Sequence, residues 1–149
     1  KAQGATRGLR YDPDMGLSVT LSCSAAGHAW MSTMTDAQAL ERVGQQGFGL
    51  PQDFGPKAPT TDKALLTYLR AARKRGYSMI NEVFAPAMTS MAAPVRIGNG
   101  TVTGVITIAG PLVRLTEFRM QTLAPALLET AEEVARASGA SALFRRKTA

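Results

Sequence analysis

The side chains best suited to covalent chemistry lie close together, where Ser22, Cys23 and Ser24 precede His28. A thiol or hydroxyl next to an imidazole supplies the nucleophile and the base of a catalytic site. Such a site also needs a third group that orients the base. No acid is suitably placed, and the chain has only one cysteine and one histidine. We therefore predict no enzyme activity. We expect Cys23 to be a small buried side chain and His28 to lie on a helix surface.

Metal and dinucleotide sites are also not indicated. One cysteine and one histidine cannot form a thiolate or imidazole cluster, so we predict no metal and no cofactor. Gly98, Gly100 and Gly104 resemble a dinucleotide loop only superficially, because that motif needs a following helix and a strand follows here. Gly98-Asn99-Gly100 is better explained as a type I′ hairpin turn, whose positive φ angles Asn and Gly tolerate.

Polar groups from three places could converge on a ligand. A helix predicted to start at residues 24–27 would present free N–H groups and a positive dipole end, which favour an anion, and its Ala and Gly residues would let a ligand approach. Ser90 and Thr107 lie on neighbouring predicted strands and could face the same space. Met88 could line that space. The alternative is that the methionines simply fill the hydrophobic core. Asn81 and Glu82, at the end of one strand, are further candidates for a ligand-side role.

Four helices and several strands must position these groups. Alternation of apolar and polar residues predicts strands at residues 15–22, before the Asn99 turn and after it, where one face is aliphatic and the other is small and mildly polar. A first helix is predicted from residue 24, and a second begins with a capping box at residues 35–38 and ends at Gly44 and Gly47. A third is predicted from 61 to 75. The last is predicted from 116 to 139, with a kink or break at Pro125. Helices beside a mainly antiparallel sheet predict an α+β domain.

Composition limits the class of protein. The 149 residues fit one domain, with frayed ends at about 1–8 and 140–149, and 45% of them are hydrophobic. The net charge of +6 is dispersed and not interleaved with aromatic residues, so direct nucleic-acid binding is not indicated. We see neither a membrane span nor a signal peptide, and we expect a cytoplasmic protein. The chain starts without Met, and we expect it to be a piece of a longer protein.

Three blocks of residues, in register over nearly the whole chain, resemble the effector-binding domain of IclR-type bacterial transcriptional regulators. They are Ser24-Ala25-Ala26-Gly27-His28-Ala29, then Arg73-Lys74-Arg75-Gly76-Tyr77 followed by Glu82, and then Met91-Ala92-Ala93-Pro94-Val95 followed by residues 104–111. The resemblance implies a GAF/profilin-like sensor domain that binds a small organic acid. It also implies a homodimer or homotetramer that contacts DNA only through a winged helix-turn-helix domain, which is absent from this chain together with the first hairpin of the effector domain.

The resemblance also implies which residues hold the effector. Its carboxylate would lie near Ala25 and Ala26, and the matching strand positions are Ile80, Ser90, Thr107 and Ala109, with Met88 and Tyr11 as walls. Ile80 and Ala109 replace an acid and a serine of some members, and His28 replaces the usual lysine. Fewer polar partners favour a less polar ligand, so we predict an aromatic or medium aliphatic carboxylate.

Three other classes of function stay open from the sequence. One is a GAF- or PAS-type sensor of another signalling protein, which would share the sheet and the pocket. Another is an enzyme acting on organic acids, although a catalytic constellation is missing. The last is a purely structural dimerisation module, in which methionine side chains would fill the pocket.

Overall fold

The computed structural model of the chain describes residues 19–98 and 100–140. Its helices are α1 (Ala25–Met31), α2 (Asp36–Gln46), α3 (Asp62–Arg75) and α4 (Glu117–Ala140), and its strands are β1 (Ser78–Asn81), β2 (Met88–Ile97) and β3 (Thr101–Pro111). Short 3-10 turns occur at Leu21–Cys23 and Pro51–Asp53. The predicted α+β class, with helices flanking an antiparallel sheet, is confirmed. The predicted frayed ends lie almost entirely outside the described residues.

Local signals explain where the second and third helices begin and end. The predicted capping box of α2 is present, since Thr35 accepts from the N–H of Gln38 and the Gln38 side chain accepts from that of Thr35. In α3 the hydroxyl of Thr61 accepts from the N–H of Ala64, and Gly76 ends the helix in the left-handed conformation, with φ of 83°. The starts of both helices and the end of α3 agree with the sequence prediction.

The sheet has the order β1-β2-β3, and both neighbouring pairs are antiparallel. The predicted hairpin joins β2 to β3. Gly98 and Gly100 both have positive φ, 43° and 89°, as a tight turn of this kind requires, while Asn99 lies outside the described residues. A bulge interrupts the register between Val95 and Arg96. From there to the end of β3 the pairing is regular.

The register divides the sheet into two faces, because residues directly opposite each other on neighbouring strands point to the same side. We call the side covered by α1 the α1 face; it carries Ser78, Ile80, Ser90, Ala92, Pro94, Val105, Thr107 and Ala109. We call the other side the α4 face; it carries Met79, Met91, Ala93, Val95, Ile106 and Ile108. The predicted aliphatic and small-residue faces of β3 are thereby confirmed from residue 104 to residue 109.

Both faces are covered by helices, but with different side chains. On the α4 face, Met91 packs in one buried cluster with Met120 and Leu127 of α4. On the α1 face, Ala25 and Ala29 of α1 pack with Ala92 and Ile80. A third cluster joins α1, α2 and α3 around Met31, Val43, Leu65 and Leu69, and the half-buried Trp30 of α1 packs against it.

Three boundary predictions were wrong. Residues 21–23 form a 3-10 turn instead of the end of a strand, because the side-chain amide of Gln46 donates to Val19 and accepts from the N–H of Leu21; residues 15–18 lie outside the described part. Gly44 does not end α2 but lies within it, in open space. The predicted break at Pro125 is absent and α4 continues beyond Gly139 to Ala140, because this proline is on the solvent side, where water can satisfy the carbonyl that lacks its N–H partner. The alternative, a kink at Pro125, stays a prediction.

Candidate functional site

The start of α1, the helix that packs on the sheet, carries backbone donors. Ser24 is extended and its hydroxyl accepts from the N–H of Gly27, at 3.0 Å, which caps the helix. The N–H groups of Ala25 and Ala26 have no acceptor among the described residues. Ala25 is buried and Ala26 is half-exposed, so a ligand beside Ala26 would meet these donors.

The glycine of this segment has a packing role. A Cβ atom on Gly27 would lie 2.2 Å from the carbonyl oxygen of Leu21, much closer than real contacts allow. The expectation that this glycine lets a ligand approach is therefore wrong, since the atoms next to it are the backbone of the preceding turn. Gly27 instead allows the 3-10 turn to pack directly on α1.

The sheet supplies the other predicted polar groups. Ser90 pairs with Ile80 on one side and Ala109 on the other, and Thr107 pairs with Ala92, so the Ser90 and Thr107 side chains are diagonal neighbours on the α1 face. Ser90 is 8% exposed and Thr107 is exposed. Neither hydroxyl has a hydrogen-bond partner among the described residues. Two hydroxyls without a partner in the described part of the chain thus lie on one surface.

The remaining predicted wall residues are placed as follows. Ile80 is buried in the apolar cluster that holds Ala25, and Met88 is half-buried at the end of β2, opposite Pro111. Ala109 is exposed on β3. Tyr11 lies outside the described residues. The described candidates on the sheet therefore all share the α1 face.

Sequence reasoning missed Ser78, which ties α1 to the sheet. Its hydroxyl donates to the carbonyl of Ala25 at 2.7 Å, and the side chain is buried. The signal was present in the sequence, since Ser78 precedes Ile80 by two residues and must share its face. Because this hydroxyl is already engaged, it differs from that of Ser90.

Glu82 does not join the candidate site. It has positive φ, 52°, its carboxylate accepts from the N–H of Ala87 at 3.2 Å, and Lys57 lies 3.4 Å away. These contacts hold the turn between β1 and β2. Asn81 pairs with Thr89, which lies on the α4 face, so Asn81 also points away from Ser90.

The prediction that His28 lies on a helix surface was wrong. It is fully buried, its Nε2 lies 2.6 Å from the carbonyl oxygen of Ser22, and its ring centre lies 5.2 Å from that of Tyr68 in α3. Burial lowers the pKa of His28 to about 4, although the bond to Ser22 opposes the shift. The imidazole is therefore neutral near pH 7, with Nε2–H as donor to Ser22. The burial of His28 depends on tertiary packing against α3, so the local sequence pattern could not predict it.

Cys23 is buried, as predicted. Burial raises the pKa of its thiol, which opposes formation of a reactive thiolate. Within residues 19–98 and 100–140, no three His, Cys, Asp or Glu side chains are grouped so as to hold a metal ion. In the same part of the chain, none of the helices combines the length and apolar character needed to cross a bilayer.

Comparison with known sequences gives a family match. Residues 3–136 match the family described as the C-terminal domain of the bacterial transcriptional regulator IclR. The HTH-type transcriptional repressor AllR of Escherichia coli is 28% identical over 134 residues, which cover 90% of this chain and 48% of AllR. AllR of Salmonella typhimurium is 28% identical over 131 residues, 88% of this chain and 47% of that protein. The chain spans about half the length of these relatives.

Comparison with solved structures supports the fold. The transcriptional regulator YaiJ superposes with a TM-score of 0.76 at 23% identity, over 93% of this chain and 76% of that one. IclR of Thermotoga maritima gives 0.73 at 23% identity, over 90% and 53%. A double mutant of the PobR inducer-binding domain from Acinetobacter, in complex with 3-hydroxybenzoic acid, gives 0.68 at 19% identity, over 84% and 77%.

Proposed function

The chain belongs to the IclR family of transcriptional regulators, which are not enzymes, and we propose that it binds an aromatic or medium aliphatic carboxylate as the effector of such a regulator. The proposed site lies between the start of α1 and the α1 face of the sheet. Its residues are Ala25, Ala26, Ile80, Met88, Ser90, Thr107 and Ala109.

One observation carries this proposal: unsatisfied donors from two layers lie on the same side of the sheet. The N–H groups of Ala25 and Ala26 and the hydroxyls of Ser90 and Thr107 have no partners among the described residues. A carboxylate accepts hydrogen bonds at both oxygens and is favoured at the positive end of a helix. Such a ligand would therefore satisfy groups that have no partner in the part of the chain that the structure describes.

The walls of the site favour an apolar body on the acid. Ile80 is buried, and Ala109 and Met88 add methyl and thioether surface without a donor. A heavily oxygenated acid would leave polar atoms unpaired against these walls, which costs free energy. The structural neighbour PobR, whose inducer-binding domain was solved as a double mutant with 3-hydroxybenzoic acid, illustrates this class of ligand in a similar fold.

The mechanism that we propose is a shift between arrangements of the full-length protein. An effector can change operator affinity only if it binds one arrangement more tightly than the other. Contact with DNA would be made by an N-terminal domain outside this chain. We therefore expect the isolated chain to show no specific binding to an operator duplex in fluorescence anisotropy, and tight, salt-resistant binding would contradict this division of roles.

A thermal-shift panel tests the ligand class. We expect benzoate-like and medium-chain aliphatic acids to raise the melting temperature, because a ligand of the folded state stabilises it by mass action. Stabilisation by glyoxylate or pyruvate alone would refute the proposed class.

A matched pair of variants tests the site. Thr107→Val keeps the β-branched shape and removes one donor, so we expect the dissociation constant of an active acid to rise about fivefold, as loss of one hydrogen bond predicts. Thr60→Val changes an exposed threonine in the loop before α3 and should leave the affinity unchanged. Equal affinity in both variants would remove Thr107 from the site.

A further inference from the structure

The first of the three cations that end α3 is used differently from the other two. Arg73 is half-buried, and its guanidinium donates to three acceptors outside its own helix. Arg75 instead lies over the ring of Tyr77, 5.5 Å from the ring centre, and Lys74 is exposed. Any cation in the last turn of a helix suits the helix dipole. The dipole therefore does not explain why Arg73 alone reaches across to other elements.

The acceptors of Arg73 lie just beyond the end of α1. Its Nε donates to the carbonyl of Ser32 at 3.2 Å, and its Nη2 donates to the carbonyl of Met34 at 2.9 Å. Its Nη1 donates to the carboxylate of Asp36, at the start of α2. The last carbonyls of a helix have no partner within it, and a planar guanidinium can bond several acceptors in a fixed geometry. Arg73 thus fixes the end of α1 to α3.

The start of α1 is held by the same stretch of chain. The hydroxyl of Ser78 donates to the carbonyl of Ala25 at 2.7 Å. Ser78 is the first residue of β1 and follows Arg73 after the turn at Gly76. The segment 73–78 therefore binds α1 at both ends, and α1 has only 7 residues. Because so short a helix has little stability of its own, such outside contacts decide where it lies.

We propose that Arg73 is a positioning residue for the effector, which rests on the function proposed above. The effector site needs the N–H groups of Ala25 and Ala26 at a set distance from Ser90 on the sheet. With the bond at Ser78 alone, α1 could pivot about it and move these donors relative to the sheet. A preorganised site binds more tightly, because less ordering remains for the ligand to impose. Arg73 acts on affinity through α1 and does not touch the effector.

Arg70 provides a matched control on the same helix. Its Nη2 donates to Asp36 at 2.8 Å, so both arginines share this carboxylate, and within the described residues its hydrogen bonds go only there. Its side chain is 67% exposed, against 29% for Arg73. Lysine at either position keeps the charge beside Asp36 and loses the planar guanidinium. A difference between Arg73→Lys and Arg70→Lys therefore reports on the carbonyls that follow α1, and not on charge.

Isothermal titration calorimetry with benzoate as the probe measures the effect on affinity. We expect Arg73→Lys to weaken binding by about tenfold, the order that a residue outside a site can impose. Arg70→Lys should bind as the unchanged protein does. Thermal denaturation measured beforehand sets a temperature at which all three proteins are folded. Unchanged affinity in Arg73→Lys would overturn the proposal, and so would equal weakening in both variants.

Hydrogen exchange of the backbone amides, followed by mass spectrometry, tests the same role without a ligand. The amides of α1 should exchange faster in Arg73→Lys than in the unchanged protein or Arg70→Lys, whereas those of α4 should keep their rate. A general loss of stability would raise the rate in both helices and would overturn the positioning role, as would an unchanged rate in α1. Arg73→Gln, which also removes the charge, should show the same pattern and replaces Arg73→Lys if circular dichroism shows that variant unfolded.

The two measurements separate this inference from the function on which it rests. Faster exchange confined to α1, with no acid of the panel bound by the unchanged protein, would refute the proposed function and with it the effect of Arg73 on affinity. Benzoate bound equally well by the unchanged protein and by Arg73→Lys would refute only the positioning role.

Discussion

The two faces of one small sheet are built from different kinds of side chain. The α4 face is filled by large apolar groups, such as Met91 and Val95, that meet Met120 and Leu127 of the helix. The α1 face is lined by alanine, serine and threonine beneath a helix that itself contributes Ala25 and Ala29. Large side chains interlock on the α4 side, whereas on the α1 side the hydroxyls of Ser90 and Thr107 have no partner among the described residues. The same three strands thus provide a packed core on one side and a candidate binding surface on the other.

The largest effect that we expect is on the α4 face. Met91 is fully buried there, so Met91→Ala should lower the free energy of unfolding by about 2–5 kcal/mol, through lost burial and the cavity that remains. Urea denaturation followed by circular dichroism measures this. A loss below about 1 kcal/mol would show that this face is not the main source of stability.

The helix layer over the α1 face should respond to pH through His28. The pKa of His28 is about 4 in the folded chain and near 6.5 in the unfolded chain. The stability that depends on a neutral His28 is therefore fully present above pH 6.5 and is lost as the pH falls toward 4. The shift corresponds to roughly 3 kcal/mol of unfolding free energy. Urea titrations at several pH values measure this slope.

The control is His28→Leu, in which the free energy of unfolding should no longer change with pH between 6.5 and 4. Asp36 does not interfere with this measurement, because hydrogen bonds from Arg70 and Arg73 lower the pKa of its carboxyl. The stability that depends on the ionised carboxylate is therefore lost only at more acidic pH. An unchanged slope in His28→Leu would assign the pH response to another group.

The smallest effects separate two serines within the α1 face. Ser78→Ala removes a buried hydrogen bond to Ala25 and should cost about 1 kcal/mol. Ser90→Ala removes a hydroxyl without a partner among the described residues, and should change stability by about 0.5 kcal/mol or less. The same denaturation assay compares them. Equal losses would mean that the Ser90 hydroxyl is already used in the folded chain.

Local patterns predicted the parts of the fold that depend on local physics. The capping box at Thr35, the end of α3 at Gly76 and the strand pair around Gly98 all depend on neighbours in sequence, and each was predicted. The burial of His28 depends on Tyr68, forty residues away in the chain, and was not. The candidate site lies between these cases: alternation places Ser90 and Thr107 on a face, but only the register puts them diagonally adjacent.

Trp30 gives this molecule a built-in optical probe. It is the chain's single indole and lies half-buried on α1, the helix over the proposed effector site. Emission excited in the tryptophan band therefore arises from that one helix and not from an average over the structure. Loosening of α1, or a ligand bound beneath it, can be followed by fluorescence without attaching a dye or altering a residue.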